Sequence, residues 1–127
     1  MLRGLSRNLR GGIAVVDINA EAEAALSGVS CKTYYYYPDE FTELPSISYY
    51  NLSETPAFSA DNSEGIQSGT IEIDIWGKVP SELGTIAIEV NELMTADGWA
   101  REYSRDMPLD DSRVYHKTMR YTKAFVL

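Results

Sequence analysis

The pattern of apolar and polar side chains is most regular in the middle of the chain. Over residues 71–76 every second residue is an isoleucine and the others are acidic or aromatic, in the order Ile71, Glu72, Ile73, Asp74, Ile75, Trp76. Because successive side chains of a β-strand point to opposite faces, this period of two predicts a half-buried strand. We expect the isoleucines to face a core and the acidic and aromatic side chains to face outward.

Two stretches repeat apolar residues at the spacing of a helix, in which positions three or four apart share one face. The first stripe consists of Ile18, Ala22, Ala25, Leu26 and Val29. The second consists of Leu83, Ile86, Ala87, Val90, Leu93 and Met94. Asp17 or Asn19 can cap the first helix, while Pro80 opens the second and Asp97 with Gly98 closes it. Both stripes predict amphipathic helices that pack against a sheet.

Four further strands are predicted from β-branched and aromatic side chains between turn-forming residues. They cover residues 31–37, 46–52, 99–107 and 114–125. The first ends in four consecutive tyrosines at residues 34–37, which we expect to place two rings on each face. One pair would lie in the core, and the other would be covered by a helix or would contact a neighbouring subunit, because aromatic rings contribute most when desolvated.

Residues 53–69 separate two of these strands and are mostly polar, with Phe58 as the one aromatic residue. They predict a long loop, or else an extension of the flanking strands into a projecting hairpin. Phe58 is then either an anchor for another protein or a lid on the core.

The elements together predict a two-layer α+β domain, with two helices on a mostly antiparallel sheet of four to five strands and a long loop or hairpin projecting from it. Residues 1–12 carry three arginines and no acidic residue. We expect them to form a mobile basic arm that precedes a single domain over residues 13–127.

Charge and composition narrow the possible functions. The net charge of the 127 residues is -8, and residues 33–100 hold twelve carboxylates against one basic residue, Lys78. This acidic middle argues against wrapping DNA, which requires clustered basic side chains. No apolar run reaches the length of a membrane span, and a single cysteine, Cys31, excludes an internal disulfide and fits a reducing cytoplasm.

The residue types give little support to catalysis. His116 is the only histidine, which disfavours a metal site or a catalytic triad. Asp110 and Asp111 precede it closely, and Glu72 and Asp74 share one strand face, so a small acid–base site is an alternative. We expect the two strand carboxylates instead to pair with basic residues of the last strand, namely Lys117, Arg120 and Lys123. We therefore predict a protein that is not an enzyme, without catalytic residues, cofactor or metal.

Several short sequences accompany the predicted elements in a fixed order. They are Tyr-Pro at residues 37–38, Leu-Pro at 44–45, Asp-Ile-Trp at 74–76 and His-Lys at 116–117. In this order, from about residue 17 to residue 121, the chain resembles the small tail terminator, or tail completion, proteins of siphophages and of prophages in Gram-positive bacteria.

The resemblance implies an architectural function. Such proteins form a hexameric ring that caps the completed tail tube, stops its polymerisation and presents the surface that joins the head. It implies self-association and contacts with a tail tube protein and with a head-closure or connector protein. It also implies assembly in the host cytoplasm and a place in the virion at the head-proximal end of the tail, with DNA passing through the ring but no specific nucleic-acid binding and no membrane.

Other functions remain open beside this one. The chain could be another neck or tail-tube component, a small acid–base enzyme or a ligand-binding domain. If it assembles, outward aromatic and basic side chains are the candidates for its contacts, because interfaces concentrate aromatic residues at their centres. These candidates are Tyr35, Tyr37, Phe58, Trp76, Lys117 and Arg120.

Overall fold

The computed structural model of the chain describes residues 7–10, 13–38, 43–58, 64–109 and 112–127. Its elements, in chain order, are β1 (Arg7–Arg10), β2 (Ile13–Val16), α1 (Ile18–Ala25), a 3₁₀ turn (Leu26–Gly28), β3 (Lys32–Tyr35), β4 (Ser46–Phe58), β5 (Glu64–Gly77), α2 (Pro80–Ala96), β6 (Ala100–Asp106) and β7 (Tyr115–Val126).

Strands β3 to β7 form one mixed sheet in the order β3-β4-β5-β7-β6. Neighbouring strands are antiparallel, except that β3 runs parallel to β4. The buried sides of α1 and α2 belong to one apolar cluster together with the isoleucine face of β5. The predicted two-layer α+β domain with two helices on a mostly antiparallel sheet is therefore confirmed.

The centre of the core is the predicted alternation of β5. Ile71, Ile73 and Ile75 are fully buried, and Ile73 lies between Tyr49 of β4 and Met119 of β7. Since β5 is paired on both sides, its isoleucines contact side chains from both neighbouring strands as well as the helices above them.

The ends of the two helices follow from local chemistry. Asp17 caps α1, because its carboxylate Oδ1 accepts a hydrogen bond of 3.0 Å from the backbone N–H of Ala20. Pro80 occupies the first turn of α2, and Val79 is the residue before it, with extended backbone and no side-chain bond to the helix. Gly98 turns the chain after α2 with φ of 92°, a conformation that favours glycine.

The stretch predicted as a long loop is mostly strand. β4 continues to Phe58 and β5 begins at Glu64, so the hairpin alternative is the correct one and the loop is wrong. The outer half of this hairpin is held by β7 as well, since Ile66 pairs with Val126. Residues 59–63 and the side chain of Phe58 lie outside the described residues.

Two short strands near the N-terminus were not predicted. β1 pairs with β2 antiparallel, so part of the predicted arm is a strand, while residues 1–6, 11 and 12 lie outside the described residues. Val16 of β2 is buried, and the amide of Gln67 joins it to β5 by two hydrogen bonds, of 3.0 Å to its N–H and 3.1 Å to its carbonyl oxygen.

A pair of opposite substitutions tests the core and the start of α2. Ile73→Asp buries an unpaired carboxylate, so we expect a loss of several kcal/mol, enough to unfold a domain of ordinary stability. Val79→Asp supplies the missing cap beside the positive helix end, and we expect a gain of about 1 kcal/mol. Urea unfolding followed by circular dichroism measures both changes. A cooperatively folded Ile73→Asp variant of unchanged stability would show that the faces of β5 are reversed.

Candidate functional site

The sheet face opposite the helices, here called the open face, carries no further layer among the described residues. It is built from the side chains that alternate with the core residues of β3 to β7. Its members are Lys32, Tyr34, Ser46, Ser48, Tyr50, Glu72, Asp74, Trp76, Tyr103, Arg105, His116, Thr118 and Arg120. These side chains are aromatic, polar or charged.

Two tyrosines beyond the end of β3 also turn onto the open face. Tyr36 has φ of 72°, and its N–H donates a hydrogen bond of 2.7 Å to the carbonyl oxygen of Tyr49. This left-handed residue breaks the alternation, so the ring of Tyr36 lies 5.0 Å from that of Tyr50, and the ring of Tyr37 lies 5.2 Å from that of Trp76. The predicted division of the tyrosines, two on each face, is therefore wrong.

A row of contacts crosses the open face from β4 to β6. The hydroxyl of Tyr50 donates a 2.7 Å hydrogen bond to Oε2 of Glu72, and Nη2 of Arg120 lies 3.5 Å from Oε1 of the same carboxylate. The guanidinium of Arg120 lies 4.6 Å from the ring centre of Tyr103, in the geometry of a cation–π contact. Burial, followed by the bond to Glu72, raises the pKa of Tyr50 above its usual range.

A second row surrounds Trp76. Its indole N–H donates a 3.0 Å hydrogen bond to Oγ of Ser48, and its ring stacks on His116 at 3.8 Å between centres. Nε2 of His116 in turn lies 2.8 Å from Oδ1 of Asp74. Trp76 is only 8% exposed, so the expectation of an exposed indole is wrong, and its part in an interface stays a prediction.

The predicted partners of the strand carboxylates are partly correct. Arg120 pairs with Glu72 as expected, but Asp74 pairs with His116. Lys117 lies on the helix side of the sheet, where its Nζ is 3.0 Å from Oδ1 of Asp106. The reason is the parity of the strand, since residues an odd number of positions from Arg120 point to the opposite face.

Lys123 follows the same rule as Lys117. On the helix side, its ammonium donates a hydrogen bond to the backbone carbonyl of Asp97, at the end of α2. Neither lysine reaches the open face. The alternation of side chains along β7 is enough to predict this from the sequence.

Of the remaining candidate residues, three are at least partly exposed to solvent, and the side chain of the fourth lies outside the described residues. Tyr35 and Tyr37 are 58% and 54% exposed, and Tyr35 points to the helix side, where its ring lies 5.7 Å from that of Tyr49. Arg120 is half-buried on the open face, and nothing is described for the side chain of Phe58. Three of the six candidates, Tyr37, Trp76 and Arg120, thus lie on the open face, and Trp76 is buried there.

The open face also holds buried polar atoms without a partner among the described residues. They are Oγ of Ser46, Oγ1 of Thr118 and Nε of Arg120. Sequence reasoning missed Ser46 and Thr118, although both alternate with apolar core positions in their strands. Unpaired polar atoms at this depth are costly to the stability of the fold.

One cleft bears on the alternative of an acid–base site. It has a volume of about 440 Å³ and lies between the start of α2 and the β6–β7 connection, with His116, Tyr115 and Lys117 in its wall. Asp74 does not line it, and neither does any serine, threonine or cysteine among the described residues. Asp110 and Asp111 lie outside the described residues.

Two further types of site find no support among the described residues. No group of three or more histidine, cysteine, aspartate or glutamate side chains within the described ranges could hold a metal ion. Burial raises the pKa of the Cys31 thiol to about 11, so its thiolate, the form that reacts as a nucleophile, is disfavoured.

Comparisons with known proteins assign no family. No family model matches the chain, and a search of curated proteins finds no match. Within the described residues, no helix has the length and apolar character needed to cross a membrane.

Trp76 gives a direct test of the second row of contacts. We expect Trp76→Ala to cost about 3–5 kcal/mol, because it leaves a cavity and removes the partner of Ser48. Trp76→Phe keeps most of the ring and should cost less. Chemical denaturation followed by circular dichroism measures both. A Trp76→Ala variant as stable as the original chain would mean that the indole is a surface group.

The raised pKa of Tyr50 predicts a sign for the alkaline response. An unfolded tyrosine loses its proton near pH 10, to within about half a unit, while folded Tyr50 keeps its proton to a higher pH. The contribution of Tyr50 to the free energy of unfolding is therefore fully present below about pH 10 and is lost as the pH rises further. Tyr50→Phe removes this contribution. We expect its free energy of unfolding to fall less steeply above about pH 10 than that of the original chain. Equal slopes in urea titrations at several alkaline pH values would contradict the assignment.

Proposed function

We propose that this chain is a phage tail terminator protein, which assembles as a ring on the end of the tail tube, stops its polymerisation and provides the joining surface for the head. The proposal rests on the resemblance in the order of its elements and short sequences, and the two-layer α+β fold agrees with it.

The observation that carries the proposal is the open face. A sheet face in a small domain is ordinarily covered by a second layer or is mainly solvated, whereas this one combines aromatic rings with an ion pair held between strands. Interfaces favour such a composition, with aromatic and arginine side chains at their centres. The open face is thus suited to contact with another protein subunit.

The charge of the chain supports a passage for DNA rather than a binding site for it. With a net charge of -8, the surface as a whole repels phosphates. A ring with acidic walls would let the genome slide through without being held. Duplex DNA should accordingly bind no more tightly than it does to an unrelated acidic protein.

A second candidate function is supported by one observation, the 2.8 Å contact between His116 and Asp74. A carboxylate that orients a histidine beside a cleft is an arrangement found in acid–base catalysis. This alternative predicts that His116→Gln abolishes turnover of a small substrate while the protein stays monomeric.

Tail tubes from the phage or prophage that encodes the chain provide the test. We expect the purified protein to bind one tube end, to stop tube growth at that end and to appear there as a ring in electron micrographs. Native mass spectrometry of the protein with and without tubes gives the number of subunits. The architectural proposal is refuted if the protein stays monomeric, does not bind the tubes, and has an enzymatic activity that His116→Gln removes.

A further inference from the structure

The outward side of α2 contains a large apolar residue with no cover among the described residues. Ile88 is 65% exposed, and it lies opposite the buried positions Leu83, Ile86 and Val90 of the same helix. An exposed isoleucine alone is ordinary on a protein surface. Gly84 and Thr85, one turn before it, are small and leave room for another chain to approach, and Glu92 lies one turn after it.

Gly84 is the most informative of these small neighbours. A glycine in a helix interior costs about 1 kcal/mol relative to alanine. A Cβ atom built at Gly84 would meet no atom within 4 Å, so nothing in the described fold requires a glycine at this position. Close approach of a second polypeptide would account for it.

The two layers of the domain differ in charge. α1 and α2 contain five glutamates and no lysine or arginine. Of these, Glu82 and Glu92 are exposed and make no salt bridge with the described residues. The two helices themselves thus contribute only negative charge to this side, while Arg101 and Lys117 of the sheet line the groove beside Ile88 and Glu92.

The open face carries the opposite unpaired charge. Its two carboxylates, Glu72 and Asp74, are already in contact with Arg120 and His116. Lys32 and Arg105 are exposed and form no salt bridge within the described part of the chain. The open face thus offers positive charge and aromatic rings to whatever covers it.

We propose that the open face of one copy is covered by the outward side of α2 of the next copy, so that the chain assembles head to tail. Ile88 would pack on the aromatic rings of the open face, and the glutamates of the helix layer would lie near Lys32 and Arg105. The inference rests on the ring of the proposed function and names the two surfaces that form it.

The two surfaces are different, and this determines the symmetry. Each copy offers one helix side and one open face, so every contact leaves one surface of each type available for a further copy. Contacts of this type form a ring when the rotation between copies closes and a filament when it does not. Pairing of like surfaces would instead stop at a dimer.

The test uses two variants that each disable one surface. Ile88→Lys places a positive charge in the centre of the helix side, and Arg105→Glu reverses a charge of the open face. Both residues are exposed, so circular dichroism and the unfolding midpoint should match those of the original chain. Val15→Lys, at a 43% exposed position of β2 that belongs to neither surface, is the matched control.

Sedimentation velocity and native mass spectrometry then follow assembly at rising concentration and in the presence of tail tubes. We expect the original chain and Val15→Lys to assemble and each surface variant alone to remain monomeric. An equimolar mixture of Ile88→Lys and Arg105→Glu should form a dimer and nothing larger, because only one intact helix side can meet one intact open face. High salt should slow assembly of the original chain.

Several results would overturn the inference. They are an original chain that stays monomeric under all these conditions, surface variants that assemble normally, an Ile88→Lys defect without an Arg105→Glu defect, or a mixture that forms no dimer. If the protein caps tubes although the variants assemble normally, the proposed function stands and this contact is wrong. If the variants and their mixture behave as expected but no tube is capped, the contact stands and the proposed function is wrong.

Discussion

The structure depends on the two-sided pairing of β5 and on the alternation of its side chains. Because β4 and β7 flank this strand, a slip of one residue would turn Ile71, Ile73 and Ile75 out of the core and bring Glu72 and Asp74 into it. The cost of burying those carboxylates fixes the register for all three strands. The same alternation assigns the neighbouring side chains of β4 and β7 to one face or the other, so the core and the open face are two consequences of one constraint.

The open face gains its order from contacts between neighbouring strands rather than from a covering layer. Glu72 accepts from Tyr50 and contacts Arg120, and each of these three side chains comes from a different strand. Side chains held in this way have already lost much of their conformational freedom. The binding of a partner to them therefore loses less entropy than binding to a freely moving surface. This preorganisation links the packing of the sheet to the proposed role in assembly.

Much of the fold could be predicted from the sequence because the strong signals are local. The isoleucine alternation, the two helical stripes and the Asp17 cap each depend on residues close together in the chain. The predicted faces of the tyrosines are wrong because φ of 72° at Tyr36 breaks the alternation. No residue type in this stretch indicates a left-handed backbone. Trp76 was expected outside because its cover, the ring of His116, comes from a strand forty residues away. The pairings of the open face likewise required the strand order, which periodicity does not contain.

His116 belongs to both functional hypotheses, and its own contacts fit both of them. One nitrogen faces Asp74 and one ring face lies on Trp76, so the imidazole is oriented in a way that suits a general base or a structural cover equally well. The two hypotheses differ in what else they require. General base catalysis needs a nucleophile, and the described wall of the adjoining cleft contains no serine, threonine or cysteine, so the substrate or a water molecule would have to supply it. A structural cover needs only the stacked ring and the carboxylate that holds it, and both are in place.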